Sequence, residues 1–223
     1  MRAQGRAAAI AIGGGITAPV GFRAAGLACG IKASGKPDLA LIAADKPSSA
    51  AAIFTTNQAK AAPVLVSAEH LAWSTGVAQV ILTNSGCANA CTGPQGMADA
   101  REMAVMAANR AGCAPSQALV ASTGVIGVNL KMDAIRSGVP ALFAALSRSG
   151  DADAARAIMT TDPFPKSHAV EVETSAGRFR VGPAVGRADG GCAWSGSRGP
   201  GRLPPAGSRV VADVQGRGVR CPR

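Results

Sequence analysis

The 223-residue sequence has no tyrosine, five phenylalanines and two tryptophans. So few rings leave little aromatic surface to stack on nucleic-acid bases, and no reader motif is present. A nucleic-acid partner is therefore not expected, despite a net charge of +10. Half of that excess is confined to residues 181–223, which hold seven Arg against two Asp. Long apolar runs are missing too. Nothing reaches the roughly 18 residues of a membrane-spanning helix, and the apolar stretch at 7–12 is broken by Gly13-Gly14-Gly15. The expectation is a cytoplasmic protein with no membrane contact. Six cysteines lie scattered along a chain that does not resemble a small secreted scaffold, so no disulfide framework is expected. Cys87 and Cys91 are the only close pair. A zinc site would need two further ligands that His70 and His168 do not offer, so no metal is expected.

What is present is a hydrophobic fraction of 48%, carried mostly by Ala, Val, Leu and Ile. From about residue 16 to 181, apolar strand-like runs alternate with longer helical patterns, which predicts an α/β fold. Short buried strands are expected at 39–43, 51–55, 63–67, 78–83 and 118–122. Helices are expected at 95–111, where Met97, Ala100, Met103, Ala104 and Ala107 recur at helical spacing, and at 132–146, where Pro140 should kink or divide the helix. A third helix, 151–159, carries two acids near its start, where the helix dipole favours them. Residues 168–173 and 178–181, joined through Ser175-Ala176-Gly177, read as a hairpin.

After Val181 the pattern stops. Gly, Pro and Arg dominate and neither period persists, so the chain divides into a lead-in at 1–15, a domain at 16–182 and a tail at 183–223. The tail is expected to be disordered or poorly packed. It is either a genuine basic segment or out-of-frame translation of a GC-rich gene, and the second reading is preferred.

Several ordered motifs carry a resemblance. They include Gly21-Phe22-Arg23-Ala24-Ala25-Gly26, Gly30-Ile31-Lys32, Asp38-Leu39-Ala40-Leu41-Ile42, Phe54-Thr55-Thr56-Asn57 and Lys60-Ala61-Ala62-Pro63-Val64. Further along come Asn84-Ser85-Gly86, Ala88-Asn89-Ala90-Cys91-Thr92-Gly93, Ser122-Thr123-Gly124-Val125-Ile126-Gly127 and Ala157-Ile158-Met159-Thr160-Thr161-Asp162. Together, over about residues 16–182, they resemble the bifunctional ornithine acetyltransferase/N-acetylglutamate synthase family of arginine biosynthesis. The resemblance implies layered sheets and helices shared between an α and a β chain, which arise when a precursor cuts itself at an Ala-Thr bond. It also implies that the freed Thr of the β chain accepts the acetyl group, its own amine serving as base. The implied reaction is acetyl transfer from N2-acetyl-L-ornithine to L-glutamate, with acetyl-CoA as a further donor in bifunctional members. Two α and two β chains are implied, and no cofactor.

By the same resemblance, Thr123 and Gly124 match the pair that stabilises the oxyanion, and Thr160 matches a substrate-contacting Thr. Read from the residues alone, a strand followed by Thr-Gly can place a hydroxyl and an unobstructed N–H on one developing charge. It can equally be a capping hydroxyl with a turn glycine. Thr160 can likewise be a helix-end hydroxyl bonded to its own backbone. Cys87 stands where the family pattern has Asn. A cysteine nucleophile at Cys87 or Cys91 is not favoured, because nothing local lowers a thiol pKa, and Lys60 and Lys166 read as solvated or structural charges rather than catalytic ones.

The family's cleavage region, Lys-Gly-x-Gly-Met-x-x-Pro-x-Met-Ala-Thr-Met-Leu, is expected within about ten residues of Val181. It is not there: no Thr follows Thr174 and no Lys follows Lys166. The expectation is a chain that neither cuts itself nor transfers acetyl groups alone. The alternative is a non-catalytic module that pairs with a separate β chain. A lone α-type piece would also expose apolar interface and dissolve poorly.

Overall fold

The computed structural model describes residues 8–174, 177–185, 192–198 and 209–214. In chain order the strands are β1 (Ala8–Ile12), β2 (Phe22–Leu27), β3 (Leu39–Phe54), β4 (Val77–Cys87), β5 (Ala118–Val125), β6 (Lys166–Ser167), β7 (Ala169–Thr174), β8 (Gly177–Val185), β9 (Cys192–Arg198) and β10 (Arg209–Val214). The helices are α1 (Ala62–Trp73), α2 (Gly93–Ala111), α3 (Met132–Ala144) and α4 (Asp151–Ala157). One mixed sheet runs β1-β7-β8-β9-β10-β3-β4-β5, with β2 also paired to β3 and β6 to β8. The fold is α/β, as the sequence pattern predicts.

Strand periodicity divides the core. On β3, Leu39, Leu41 and Ala43 join Val80, Leu82 and Val120 under α2 and α3, where Met103, Ala107, Ile135 and Leu142 meet them. The intervening Ala40, Ile42 and Ala44 face the opposite side, with Ile81, Leu119, Phe22 and the α4 residues Ala154 and Ala157. The centre of the sheet is thus buried on both faces, which explains why its strands read as continuous apolar runs rather than as alternation.

Helices α2, α3 and α4 and the β7–β8 hairpin fall where the sequence places them. Helix α3 continues through Pro140 without division, at the cost of the one backbone bond that Pro140 cannot donate. Three differences are informative. The strands expected at 39–43 and 51–55 are a single strand, β3. The residues between them, Asp45-Lys46-Pro47 included, form only an irregularity in the β3–β4 register, between Ala43 and Ser48. Here Asp45 is held in place by Arg23, by Arg148 and by its own N–H on the Gly21 carbonyl.

The second difference is that residues 63–67, read as a strand, lie in helix α1. Val64, Leu65 and Val66 suggested extended chain, but Pro63 sits in the first turn of the helix, where its missing N–H costs nothing. Tertiary contacts complete the override of propensity. The Ser67 hydroxyl donates to the Val120 carbonyl (2.7 Å) and accepts from the Val120 N–H (2.9 Å), while His70 Nδ1 bonds the Ala118 carbonyl (2.9 Å). Helix α1 therefore covers β5, the last strand of the sheet, and occupies backbone groups that an open edge would leave bare.

The third concerns the tail. Most of 183–223 lies outside the described residues. The parts that are described, the end of β8 together with β9 and β10, are strands rather than the irregular chain the composition suggests, and β10 runs parallel to the second half of β3.

Candidate functional site

The candidate site is built where β4 and β5 end side by side. These strands are parallel, with Asn84 opposite Ser122, Ser85 opposite Thr123 and Gly86 opposite Gly124, after which the register shifts at Cys87. The shift is stabilised by side chains. Ser122 Oγ donates to Asn84 Oδ1 (2.6 Å), and Asn84 Nδ2 donates to the Cys87 carbonyl (2.9 Å). Both are buried, so a fully bonded pair is worth more here than on the surface.

Gly124 has φ of +134°, and a Cβ there would stand 2.4 Å from the Gly86 carbonyl carbon. The backbone conformation and the close approach both demand glycine. Thr123 beside it is 3% exposed, yet its hydroxyl bonds to no other described residue. Buried hydroxyls nearly always have a partner, so an unused one next to an obligate glycine marks a place where a ligand atom can be received. The sequence pattern expects this pair in a turn after a strand at 118–122, whereas both residues lie within β5 itself, near its end.

The chain just before Thr160 is tied near this end of β4 by a separate set of bonds. Ser85 Oγ donates to the Ala157 carbonyl (2.5 Å), and Lys32 Nζ donates to the carbonyls of Met159 and Pro37, each at 2.7 Å. Ser85 thereby fastens the end of α4 to β4, and Lys32 ties Met159, one residue before Thr160, to the loop between β2 and β3; Thr160 itself is half-buried in a bend. Lys32 is organised by the fully buried Asp38, whose carboxylate accepts from the N–H groups of Cys29 (2.7 Å) and Lys32 (2.9 Å). Burial pulls the Lys32 ammonium below its ordinary pKa, with Asp38 acting in the opposite sense. Lys32, Asp38, Asn84 and Ser85 went unassigned in the sequence. Their motifs were visible, but their convergence depends on strand pairing and on α4.

Among the described residues, the environments of Cys29, Cys87 and Cys113 disfavour the thiolate. The Cys87 thiol lies 3.1 Å from the Val128 carbonyl, and burial raises its pKa. Burial, reinforced by Asp38, pushes the Cys29 thiol up to about 12, and burial also raises Cys113. Cys91 is exposed, with φ of +57°. Lys166 pairs with the buried Asp162, in keeping with a structural role. Among the described residues no group of three or more His, Cys, Asp and Glu could hold a metal, and no described helix is long and apolar enough to cross a membrane. An open cleft of about 580 Å³, lined in part by Gln95, Asp99, Lys131 and Arg136, includes none of Thr123, Gly124 and Thr160. Past Gly124 the chain exposes Val125, Ile126 and Val128, each more than half accessible.

The fold alone does not define an activity, and comparison with known proteins supplies the class. The ArgJ family model matches residues 23–188, and the chain belongs to the ArgJ family. The arginine biosynthesis bifunctional protein ArgJ of Symbiobacterium thermophilum is 51% identical over 173 residues, which cover 77% of this chain and 42% of that protein. The protein of the same description from Synechococcus is 50% identical and is covered to 41%. The chain thus spans about two fifths of the length of these curated relatives. Solved structures give a different proportion. The arginine biosynthesis bifunctional protein ArgJ of Bacillus halodurans superposes with a TM-score of 0.75 at 32% identity, covering 82% of this chain and 95% of that one. The ornithine acetyltransferase of Mycobacterium tuberculosis, crystallised with ornithine, gives 0.73 at 40% identity, covering 81% and 96%.

Proposed function

We propose that this chain is the oxyanion-bearing half of an acetyltransferase that moves acetyl from N2-acetyl-L-ornithine to L-glutamate, with acetyl-CoA as a further donor if the complete enzyme is bifunctional. The observation that carries the reading is the buried, unpartnered hydroxyl of Thr123 beside Gly124. A tetrahedral intermediate at an acetyl carbon places negative charge on the former carbonyl oxygen. The Thr123 hydroxyl and the Gly124 N–H are fixed by β4–β5 pairing before substrate arrives, so they can donate to that oxygen with little reorganisation. Thr160, in the segment that Ser85 and Lys32 tie down at Ala157 and Met159, contacts the substrate.

The nucleophile belongs to a second polypeptide, a β chain. Two observations support this division. The chain spans about two fifths of its curated relatives but nearly the whole of the solved chains it superposes on. The apolar side chains of Val125, Ile126 and Val128 lie exposed next to the site, as an interface that awaits a partner would leave them. The chain is inactive alone, and the active assembly is an α2β2 heterotetramer in the cytoplasm. No cofactor takes part. The same exposed strip also favours the second reading, in which the chain is only a non-catalytic module that pairs with a β chain. The Arg-rich tail is read as out-of-frame sequence, which resequencing the gene through the codons after Val181 would test.

The functional test is an acetyl-exchange assay with labelled N2-acetyl-L-ornithine and glutamate. It is run on the purified chain and on the chain co-expressed with the complementary three fifths of the Symbiobacterium relative. Labelled N-acetylglutamate from the pair alone supports the enzyme reading. A stable pair with no turnover favours the binding module.

A further inference from the structure

We propose that Lys32 is a positioning residue for this site: its ammonium ties the segment after α4 to the loop between β2 and β3 while its stem lies against the end of β4, and so it sets the position of Thr160 relative to the strand end that carries Thr123 and Gly124. The inference rests on the acetyl-transfer reading for its functional meaning, but its geometry stands independently. Lys32 Nζ reaches two carbonyls far apart in sequence, Pro37 in its own loop and Met159 beyond α4, both at 2.7 Å. Its stem is held as well. A Cβ at Gly86 would lie 2.9 Å from Lys32 Cγ and 3.3 Å from Ile31 Cγ2, so the side chain runs closely over the backbone opposite Gly124. The loop that presents Lys32 is fixed by buried Asp38, which takes the Cys29 and Lys32 N–H groups on its two oxygens.

A side chain anchored at both its backbone and its tip acts as a rigid strut between two elements. Helix α4 has only seven residues, and the chain after it, from Met159 to Pro165, forms bends without regular structure. Two polar ties hold that exit, the Ser85 bond from β4 to Ala157 and the Lys32 bond from the β2–β3 loop to Met159. A charged donor shared by two carbonyls is stronger than a neutral one. Its loss should therefore loosen the exit of α4 locally without unfolding the sheet.

The test uses the full chain, ¹⁵N-labelled, as the parent and as Lys32→Met and Lys32→Arg. Hydrogen exchange is followed at the Ile158 and Met159 amides, which bond to the Ala154 and Arg156 carbonyls, with Val120 as a reference held by Ser67. Lys32→Met should speed exchange at Ile158 and Met159 by about tenfold or more, as expected for losing charge-assisted bonds. It should also shift the Thr160 resonance and leave Val120 unchanged. Lys32→Arg, which can still donate to both carbonyls, should restore most of the protection. Parent-like exchange in Lys32→Met, equal loosening at Val120, or an Arg variant as loose as the Met variant would each overturn the proposal. Addition of N2-acetyl-L-ornithine tests the underlying reading separately. No shift at Thr123, Gly124 or Thr160 in the parent chain paired with its β-type partner speaks against the acetyl-transfer site, while the exchange data still decide the role of Lys32.

Discussion

The two ends of β5 show contrasting uses of polar groups in one strand. At its start, the Ala118 carbonyl and both backbone groups of Val120 are taken up by His70 and Ser67 of α1. At its end, Thr123 is buried to the same degree, yet its hydroxyl has no partner among the described residues. The first arrangement is how a sheet edge is closed: every buried donor and acceptor is matched, and removing one partner leaves the other stranded. The second is what a site built for a ligand looks like, since its donor is kept in place by neighbours rather than by a bond of its own. The contrast separates side chains that hold the fold from side chains the fold holds ready.

Substitutions at the two ends should respond differently. The largest effect is expected at Gly124, where Gly124→Val must force a Cβ into the Gly86 backbone at a φ that L residues rarely adopt. A loss of about 3 kcal/mol or more, or failure to fold, is expected in denaturant titrations. Next comes Ser67→Ala, which strands the Val120 N–H and C=O together and should cost about 2–3 kcal/mol in the same measurement. The smallest stability effect is expected for Thr123→Val. Since no protein bond is lost, the unfolding midpoint should stay within about 0.5 kcal/mol of the parent. A Thr123→Val variant as unstable as Ser67→Ala would erase the distinction between the two ends.

A chemical test sharpens the comparison further. Burial raises the pKa of Cys29, Cys87 and Cys113, and only the thiolate reacts with an alkylating agent. With iodoacetamide at pH 8, peptide mapping should find the exposed Cys91 labelled first among these four. Cys29, pushed up to about 12, should be among the slowest. Fast labelling of Cys87 at this pH would reopen its reading as a reactive group.

Much of this was legible in the sequence, for reasons that differ from element to element. Helix α2 announces itself because Ala100, Met103, Ala104 and Ala107 fall on one face and that face is what packs. The β7–β8 hairpin is carried by local alternation and Gly177. Helix α1 was misread because Val64 and Val66 favour strands locally, whereas the bonds that settle its conformation reach 48 to 53 residues along the chain. Strand β3 was divided at Asp45-Lys46-Pro47 because the stabilising arginines, Arg23 and Arg148, lie at distances no local window sees. Thr123 and Gly124 were found through the resemblance, since as residues they fit a capped turn equally well. The roles of Lys32 and Asp38 stayed hidden because they exist only once α4 packs over β2 and β3. The exit of α4 then meets Lys32 across 127 residues of sequence.

The most direct measurement of the central claim is the acetyl-transfer rate of the chain paired with its complementary β-type partner, compared with the same pair carrying Thr123→Val. The account predicts that the variant assembles and folds normally, keeps its KM for N2-acetyl-L-ornithine within a few-fold, and loses kcat by about 10²–10³, the loss typical of one oxyanion donor. An unchanged kcat in a correctly assembled pair would show that the unpartnered hydroxyl at the end of β5 takes no part in the transition state, and would contradict the account.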